Sequence, residues 1–280
     1  MYKLFVIGNP VEHSMSPLIH NFWLKKYSIN GHYDKKKLEI NELKNLINDV
    51  RDKKIKGLNV TIPFKKKIID LVDEVDDTAL LSMAINTVYY RNGKVIGANT
   101  DGIGFFNSLE KDLNFKIGSE TDILILGAGG AAYGILAELI NHEVNSIQIS
   151  NRTNEKVDEL INHFRTNKNI LINNFKALKW KKKSNIKSDL VINTTSFGMN
   201  PDDNFNFDLN LKTKNSLVYD IIYKPSETPL MKKAKSRDVR NINGIFMLIR
   251  QAAESFQKWF GIKLNNEDIQ SVKKILRYHD

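Results

Sequence analysis

The chain has 280 residues, 41% of them apolar, and 42 Lys and Arg against 32 Asp and Glu, a formal net charge of +10, enough for one large domain or two ordinary ones with a real core. It has no cysteine, which excludes disulfides, thiolate catalysis and cysteine-bound zinc. Its six histidines show no HExxH or similar ligand spacing, no run approaches the roughly 20 apolar residues of a membrane helix, and the start does not read as a signal peptide, so a metal-free cytoplasmic protein is expected.

In chain order, "KLFVIG" (3 to 8) reads as a short apolar strand. "SPLIHNFWLKKY" puts Ser16 before Pro17, a preferred cap and first-turn pair, and predicts a helix with Ser16 as its cap. "GLNVTI" reads as a second buried strand, and "INTVYYRNGKVIGANT" as two β-rich runs around Asn92-Gly93, the strongest short hairpin signal.

From "TDILILGAGGAAYGILAELI" the pattern changes to an apolar strand (123 to 126), a glycine-rich turn (127 to 130) and a helix with Ile135, Leu136, Leu139 and Ile140 at helical spacing. Gly127 permits a tight turn, Gly129 lets the backbone approach a pyrophosphate, and Ala132 is the third small position of G-x-G-x-x-G/A. Unpaired N–H groups at the helix start then face the phosphates.

The next strand, "SIQIS" (146 to 150), ends in Asn151, Arg152 and Thr153 where a dinucleotide-binding domain usually places a carboxylate for the ribose. A guanidinium with no carboxylate to repel a 2′-phosphate points to NADP over NAD. Without that motif, Thr153 would be a helix cap and Arg152 a surface charge. "DLVINTT" (189 to 195) and "LVYDII" (217 to 222) continue a parallel sheet, and the lysine-rich "LKWKKKSNIK" reads as a solvated face.

The expected fold class is therefore α/β with two domains. An N-terminal α/β substrate domain (1 to 101), completed by C-terminal helices (244 to 280), flanks a doubly wound, Rossmann-type NADP domain (102 to 243). The long helical run "NGIFMLIRQAAESFQKWFG" is what returns the chain to the first domain. Lysines are scattered at 35 to 37, 53 to 56, 65 to 67, 179 to 187 and 232 to 235 with no nucleic-acid-binding motif among them. The expected partner is a small anionic molecule, with no nucleic acid and no membrane.

Nine blocks, "EHSMSP" (12 to 17), "NVTIPFK" (59 to 65), "INT" (85 to 87), "GANTDGIG" (97 to 104), "GAGGAA" (127 to 132), "NRT" (151 to 153), "NTTSFGM" (193 to 199), "YDIIYKP" (219 to 225) and "GIFMLIRQA" (244 to 252), resemble the shikimate dehydrogenase family in order and spacing. The resemblance spans nearly the whole chain. It implies NADPH-dependent reduction of 3-dehydroshikimate to shikimate, a step of aromatic amino-acid biosynthesis, by a monomer or homodimer.

The resemblance also implies roles. Lys65 and Asp101 match the catalytic pair, while Lys66 and Lys67 match nothing and read as solvent-facing charges. Ser14 and Ser16 match carboxylate ligands, and Asn59, Thr61, Asn86, Tyr223 and Gln251, with Asp101, match groups around the substrate ring. Gly127, Ala128, Gly129, Gly130, Ala131, Asn151, Arg152 and Thr153 match the cofactor's phosphates, and Asp77, Ile221 and Gly244 its nicotinamide half. Two departures stand out: Met83-Ala84 where the family commonly has a glycine, and Arg250 beside Gln251. The alternatives are a quinate/shikimate paralogue with relaxed substrate or NAD use and, more remotely, a non-catalytic basic binding protein on the same scaffold.

Overall fold

The computed structural model describes residues 1–167, 175–180, 187–200, 202–203 and 209–277. The chain divides into two compact units, one made of Met1–Ser108 with Met247–His279, the other of Leu109–Phe246.

In the first unit, β1 (Tyr2–Gly8), α1 (Ser16–Lys26), β2 (Gly31–Lys37), α2 (Leu43–Arg51) and β3 (Gly57–Val60) alternate, followed by β4 (Glu74–Val75), α3 (Asp77–Ser82), β5 (Thr87–Arg91), β6 (Lys94–Ala98) and α4 (Asp101–Asn107). The sheet order is β2-β1-β3-β5-β6-β4. β1 runs parallel to β2 and β3, whereas β5 is antiparallel to both β3 and β6. The β5–β6 turn places Asn92 and Gly93 both at positive φ, 51° and 84°, the conformation a two-residue hairpin of type I′ needs. Ile7, Leu46, Ile47, Leu58, Val60, Phe64, Ile68, Ile85 and Val88 form one buried cluster.

The second unit holds β7 (Asp122–Leu126), α5 (Gly130–Leu139), β8 (Ser146–Asn151), α6 (Asn154–Asn167), β9 (Phe175–Lys179), β10 (Leu190–Asn193), β11 (Leu217–Asp220), α7 (Pro229–Lys235) and β12 (Arg240–Ile242). All its recorded pairings are parallel, in the order β12-β11-β10-β7-β8-β9. That is the doubly wound order, and its switch point lies between β7 and β10, where such sheets bind ligands at the strands' carboxyl ends. The segment expected as a lysine-rich solvated face lies partly outside the described residues, at 181–186.

α8 (Ile245–Phe260) and α9 (Asn266–Arg277) finish the chain. The Trp259 indole donates to the Val88 carbonyl at 3.0 Å, and the Trp23 indole of α1 to the Asp268 carbonyl at 3.3 Å, so the C-terminal helices are fastened to both a strand and a helix of the first unit. α4 lies in the first unit, where Asn107 donates to Glu254 of α8 at 3.3 Å.

Candidate active site

In the first unit, residues 61–68 form turns after β3 in which Phe64 and Ile68 are buried and Lys66 and Lys67 are exposed. The spacing of those two anchors turns Lys65 inward. Its Nζ lies 2.5 Å from Asp101 Oδ2, with the two side chains only 20% and 10% exposed. Asp101 opens α4, and its backbone N–H donates to Asn99 Oδ1 at 2.9 Å. Its second oxygen accepts from Asn86 Nδ2 at 2.8 Å.

Asn86 sits just before β5. Its backbone N–H donates to the Ala98 carbonyl at 3.0 Å and its carbonyl accepts from Val60 N–H at 2.8 Å, which locks it between β6 and β3. Asn59, on β3, donates to the Asn86 carbonyl at 3.2 Å and to Ser255 Oγ at 3.0 Å, and accepts from the Tyr33 hydroxyl at 2.7 Å. Gln251 is buried on α8, where its amide donates to the Leu248 carbonyl at 2.9 Å. Thr61 is half-buried, and its backbone N–H donates to the Ile7 carbonyl at 2.9 Å. Ser14 and Ser16 meet at 3.2 Å between their hydroxyls.

Ser16 is not the helix cap the sequence suggests. It is the first helical residue after Met15, and its N–H donates to Ser14 Oγ at 3.3 Å. The hydroxyl of Ser14 performs the local turn that Ser16 was expected to make. Asp77, another sequence candidate, is exposed in the first turn of α3. Met83, where the resemblance calls for glycine, ends α3 in the left-handed conformation at φ 48°.

The second unit places its candidates at the carboxyl ends of β7, β8 and β11. Gly127 has φ 112°, and a Cβ there would lie 2.4 Å from Thr194 Oγ1, so the first turn after β7 admits only glycine without strain. Gly129 occupies the cap position of α5 with no side-chain cap, and a Cβ built on it or on Gly130 meets nothing within 4 Å. Ala128 is buried, Ala131 is half-buried, and Ala132 packs fully into the interior. The α5 N-terminus thus offers unshielded N–H groups to open space, the setting that suits a pyrophosphate.

After β8, the Asn151 amide donates to the Thr153 carbonyl at 3.0 Å, with Arg152 and Thr153 exposed. After β11, Gly244 sits so close to Ile221 that a Cβ would fall 1.9 Å from its carbonyl oxygen. Tyr223 is half-buried beside them, and burial pushes its phenol above the usual range. Asp220 is fully buried and held by neutral groups, Thr228 Oγ1 at 2.7 Å and Asn193 Nδ2 at 3.0 Å. Burial raises its pKa to about 6. The sequence reading missed this carboxylate, and also Thr87, Thr100 and Ser255 in the first unit. "INT" and "NTD" contain the two threonines, but nothing in the sequence shows that their hydroxyls turn inward.

Residues 6–88 match the family model of the shikimate dehydrogenase substrate binding domain, and residues 111–200 that of shikimate / quinate 5-dehydrogenase. The chain is 42% identical to the shikimate dehydrogenase (NADP(+)) of Pelagibacter ubique over 94% of its length and 95% of that protein's. Among solved structures, shikimate 5-dehydrogenase of Thermus thermophilus in complex with NADP(H) and shikimate superposes with a TM-score of 0.84 at 26% identity, covering 98% of this chain and 99% of that one. Shikimate 5-dehydrogenase of Listeria monocytogenes in complex with shikimate and NAD gives 0.85 at 26% identity, covering 99% and 96%. The chain belongs to the shikimate dehydrogenase family. Among the described residues no helix is long and apolar enough to cross a membrane.

Proposed function

We infer that this chain catalyses the reversible, NADPH-dependent reduction of 3-dehydroshikimate to shikimate, in aromatic amino-acid biosynthesis. The observation that carries this reading is the Lys65–Asp101 pair at 2.5 Å, set among neutral hydrogen-bonding side chains in the first unit. When bound, NADPH supplies the hydride that reduces the carbonyl carbon. Negative charge then develops on the ketone oxygen, and Lys65 Nζ both stabilises it and donates the proton that completes the alcohol. In the oxidation direction a neutral Lys65 accepts that proton. Asp101 holds the amine in place with one oxygen while Asn86 fixes the other.

We assign Ser14 and Ser16 to the substrate carboxylate. In the first unit Asn59, Thr61, Asn86 and Gln251 supply the mixed donors and acceptors that ring hydroxyls require. The residues at the second unit's strand ends suit the cofactor. Gly127, Ala128, Gly129, Gly130 and Ala131 would hold its pyrophosphate, and Asn151, Arg152 and Thr153 its 2′-phosphate. Ile221 and Gly244 are assigned to the nicotinamide half. We place the enzyme in the cytoplasm, acting on diffusible small molecules as a monomer or homodimer.

The test is the near-ultraviolet absorbance of reduced nicotinamide when the protein meets shikimate with NADP, then with NAD, and quinate with each. Rapid reduction with shikimate and NADP is expected, and no reduction there would overturn the reading. Equal rates with NAD would favour the NAD-using alternative, which the Listeria monocytogenes complex keeps in view. Equal rates with quinate would make the chain a quinate/shikimate enzyme.

A further inference from the structure

Six buried side chains of the first unit, Tyr33, Asn59, Ser255, Thr87, Asn86 and Asp101, touch one another in a line that ends at Lys65. The direction of each hydrogen bond follows from which atoms carry protons. A backbone N–H can only donate, and Thr100 N lies 2.8 Å from one end of the Asn86 amide, so that end is the oxygen. A carboxylate can only accept, and Asp101 Oδ1 lies 2.8 Å from the other end, so that end is the NH2. The Thr87 hydroxyl, 2.8 Å from the Asn86 oxygen, must then donate to it.

Thr87 has one proton to give. At its 2.7 Å contact with Ser255 Oγ it can therefore only accept, and Ser255, which accepts from Asn59 Nδ2 at 3.0 Å, divides its own single proton between Thr87 and the Gln251 carbonyl at 3.1 Å. Asn59 is oriented by the Asn86 carbonyl, which can only accept and lies 3.2 Å from its NH2, and this leaves its oxygen to the Tyr33 hydroxyl at 2.7 Å. The Asn86 oxygen thus has two dedicated donors, the Thr100 backbone at 2.8 Å and the Thr87 hydroxyl at 2.8 Å, with the Thr100 hydroxyl a further neighbour at 3.1 Å. Thr87 is 0% exposed, so no solvent can replace its hydroxyl, and it is too deep to touch a substrate.

We propose that Thr87 is a positioning residue for the reaction: its hydroxyl holds the Asn86 amide with the NH2 toward Asp101, and so keeps the carboxylate aimed at Lys65. Without Thr87 the Asn86 oxygen keeps only the Thr100 backbone and hydroxyl as partners, so the amide, and with it the carboxylate that it aims, is held less tightly. This rests on the reading of Lys65 and Asp101 as the reacting pair.

The test is steady-state kinetics of Thr87→Val, which keeps the shape and removes the hydroxyl, beside Thr87→Ser, which keeps the hydroxyl. Thr87→Val should lower kcat about tenfold to a hundredfold, the effect of one buried polar contact left unmade, and Thr87→Ser should recover most of it. Thr87→Val in an Asn86→Ala background should cost nothing further, since Thr87 acts only through Asn86. Ser255→Ala should cost about threefold or less, because Thr87 keeps its proton for Asn86. Wild-type kcat in Thr87→Val, failure of Thr87→Ser to recover it, or an additive cost on Asn86→Ala each overturn the proposal. If Thr87→Val does not fold by circular dichroism, Thr87→Ala is read in its place with the same expectations. Lys65→Ala in the same assay separates the two levels. If it keeps turnover, the reading of the pair has failed; if it is inactive while Thr87→Val is unaffected, only the role of Thr87 has.

Discussion

The two units make their candidate sites from different parts of the chain. In the first, the site is side chains: a lysine, a carboxylate, two asparagines and several hydroxyls joined by hydrogen bonds of 2.5 to 3.3 Å. In the second it is mostly backbone: a turn that excludes Cβ at Gly127, an uncapped helix start at Gly129, and a contact that excludes Cβ at Gly244. A side-chain site fails when it loses a functional group, and a backbone site fails when it gains an atom. Substitutions should therefore damage the two units in opposite ways.

Adding one methyl at two neighbouring glycines gives the sharpest contrast. Gly127→Ala meets both the positive φ and the 2.4 Å contact with Thr194, and should cost roughly 2 to 4 kcal/mol of stability in denaturant unfolding. Gly129→Ala, with φ −97° and open space around it, should cost only about 1 kcal/mol, the difference between Gly and Ala at a helix cap, yet weaken NADP in a binding titration, because the methyl fills the space assigned to phosphate. Equal stability losses at the two positions would break the comparison.

Among the side chains that the second unit does use, Arg152 carries the charge assigned to the 2′-phosphate. Charge-assisted bonds of that kind are worth about 1.5 to 3 kcal/mol. Arg152→Ala should raise the NADP Michaelis constant tenfold to a hundredfold and leave NAD nearly unchanged, and equal losses for both cofactors would remove the assignment.

The units also differ in their buried titratable groups. In the first, His20 is enclosed by Tyr33, Trp23, Phe256 and Trp259, with neither ring nitrogen hydrogen-bonded among the described residues, and burial pushes its pKa down to about 3 from an ordinary 6.5. Between those values the unfolded chain binds a proton that the folded chain refuses. The His20 contribution is therefore complete above 6.5 and is lost as pH falls towards 3. Asp220 has the opposite sign. Its pKa is raised from 3.8 to about 6, so the folded chain binds a proton that the unfolded chain has given up, and stability rises as pH falls from 6 to 3.8. Each slope is at most about 1.4 kcal/mol per pH unit. Thermal unfolding across that range should show Asp220→Asn more acid-sensitive relative to wild type and His20→Phe less so. Parallel profiles for all three proteins would contradict these environments.

The smallest effect is at Met83, a non-glycine residue at φ 48° that is 40% exposed. Met83→Gly should stabilise the chain by about 0.5 to 1 kcal/mol in denaturant unfolding, relief of left-handed strain offset in part by a more flexible unfolded state. A loss of stability would mean that the Met83 side chain contributes more than its backbone costs.

The strands with unbroken apolar runs, the Asn92-Gly93 hairpin and the glycine turn before α5 were legible because each depends on a local rule. β2 was not. It is an edge strand, "GHYDKKK", in which only Tyr33 is buried, so it has no alternation to read. Ser255 was hidden for the opposite reason, because a serine on the apolar face of α8 reads as a tolerated small residue until the hydroxyls of β5 and the α4 turn converge on it. The three consecutive lysines were undecidable by composition. What separates them is the burial of Phe64 and Ile68, which fixes the direction of Lys65 alone.

Turnover of Lys65→Ala beside Lys66→Ala, with shikimate and NADP and with folding checked by circular dichroism, tests the central claim most directly. If Lys65 supports charge and proton transfer at the reacting oxygen, its loss should lower kcat by about 10²- to 10⁴-fold, while the loss of Lys66 leaves kcat within about twofold. Near wild-type turnover in Lys65→Ala, or an equal loss in Lys66→Ala, would contradict it.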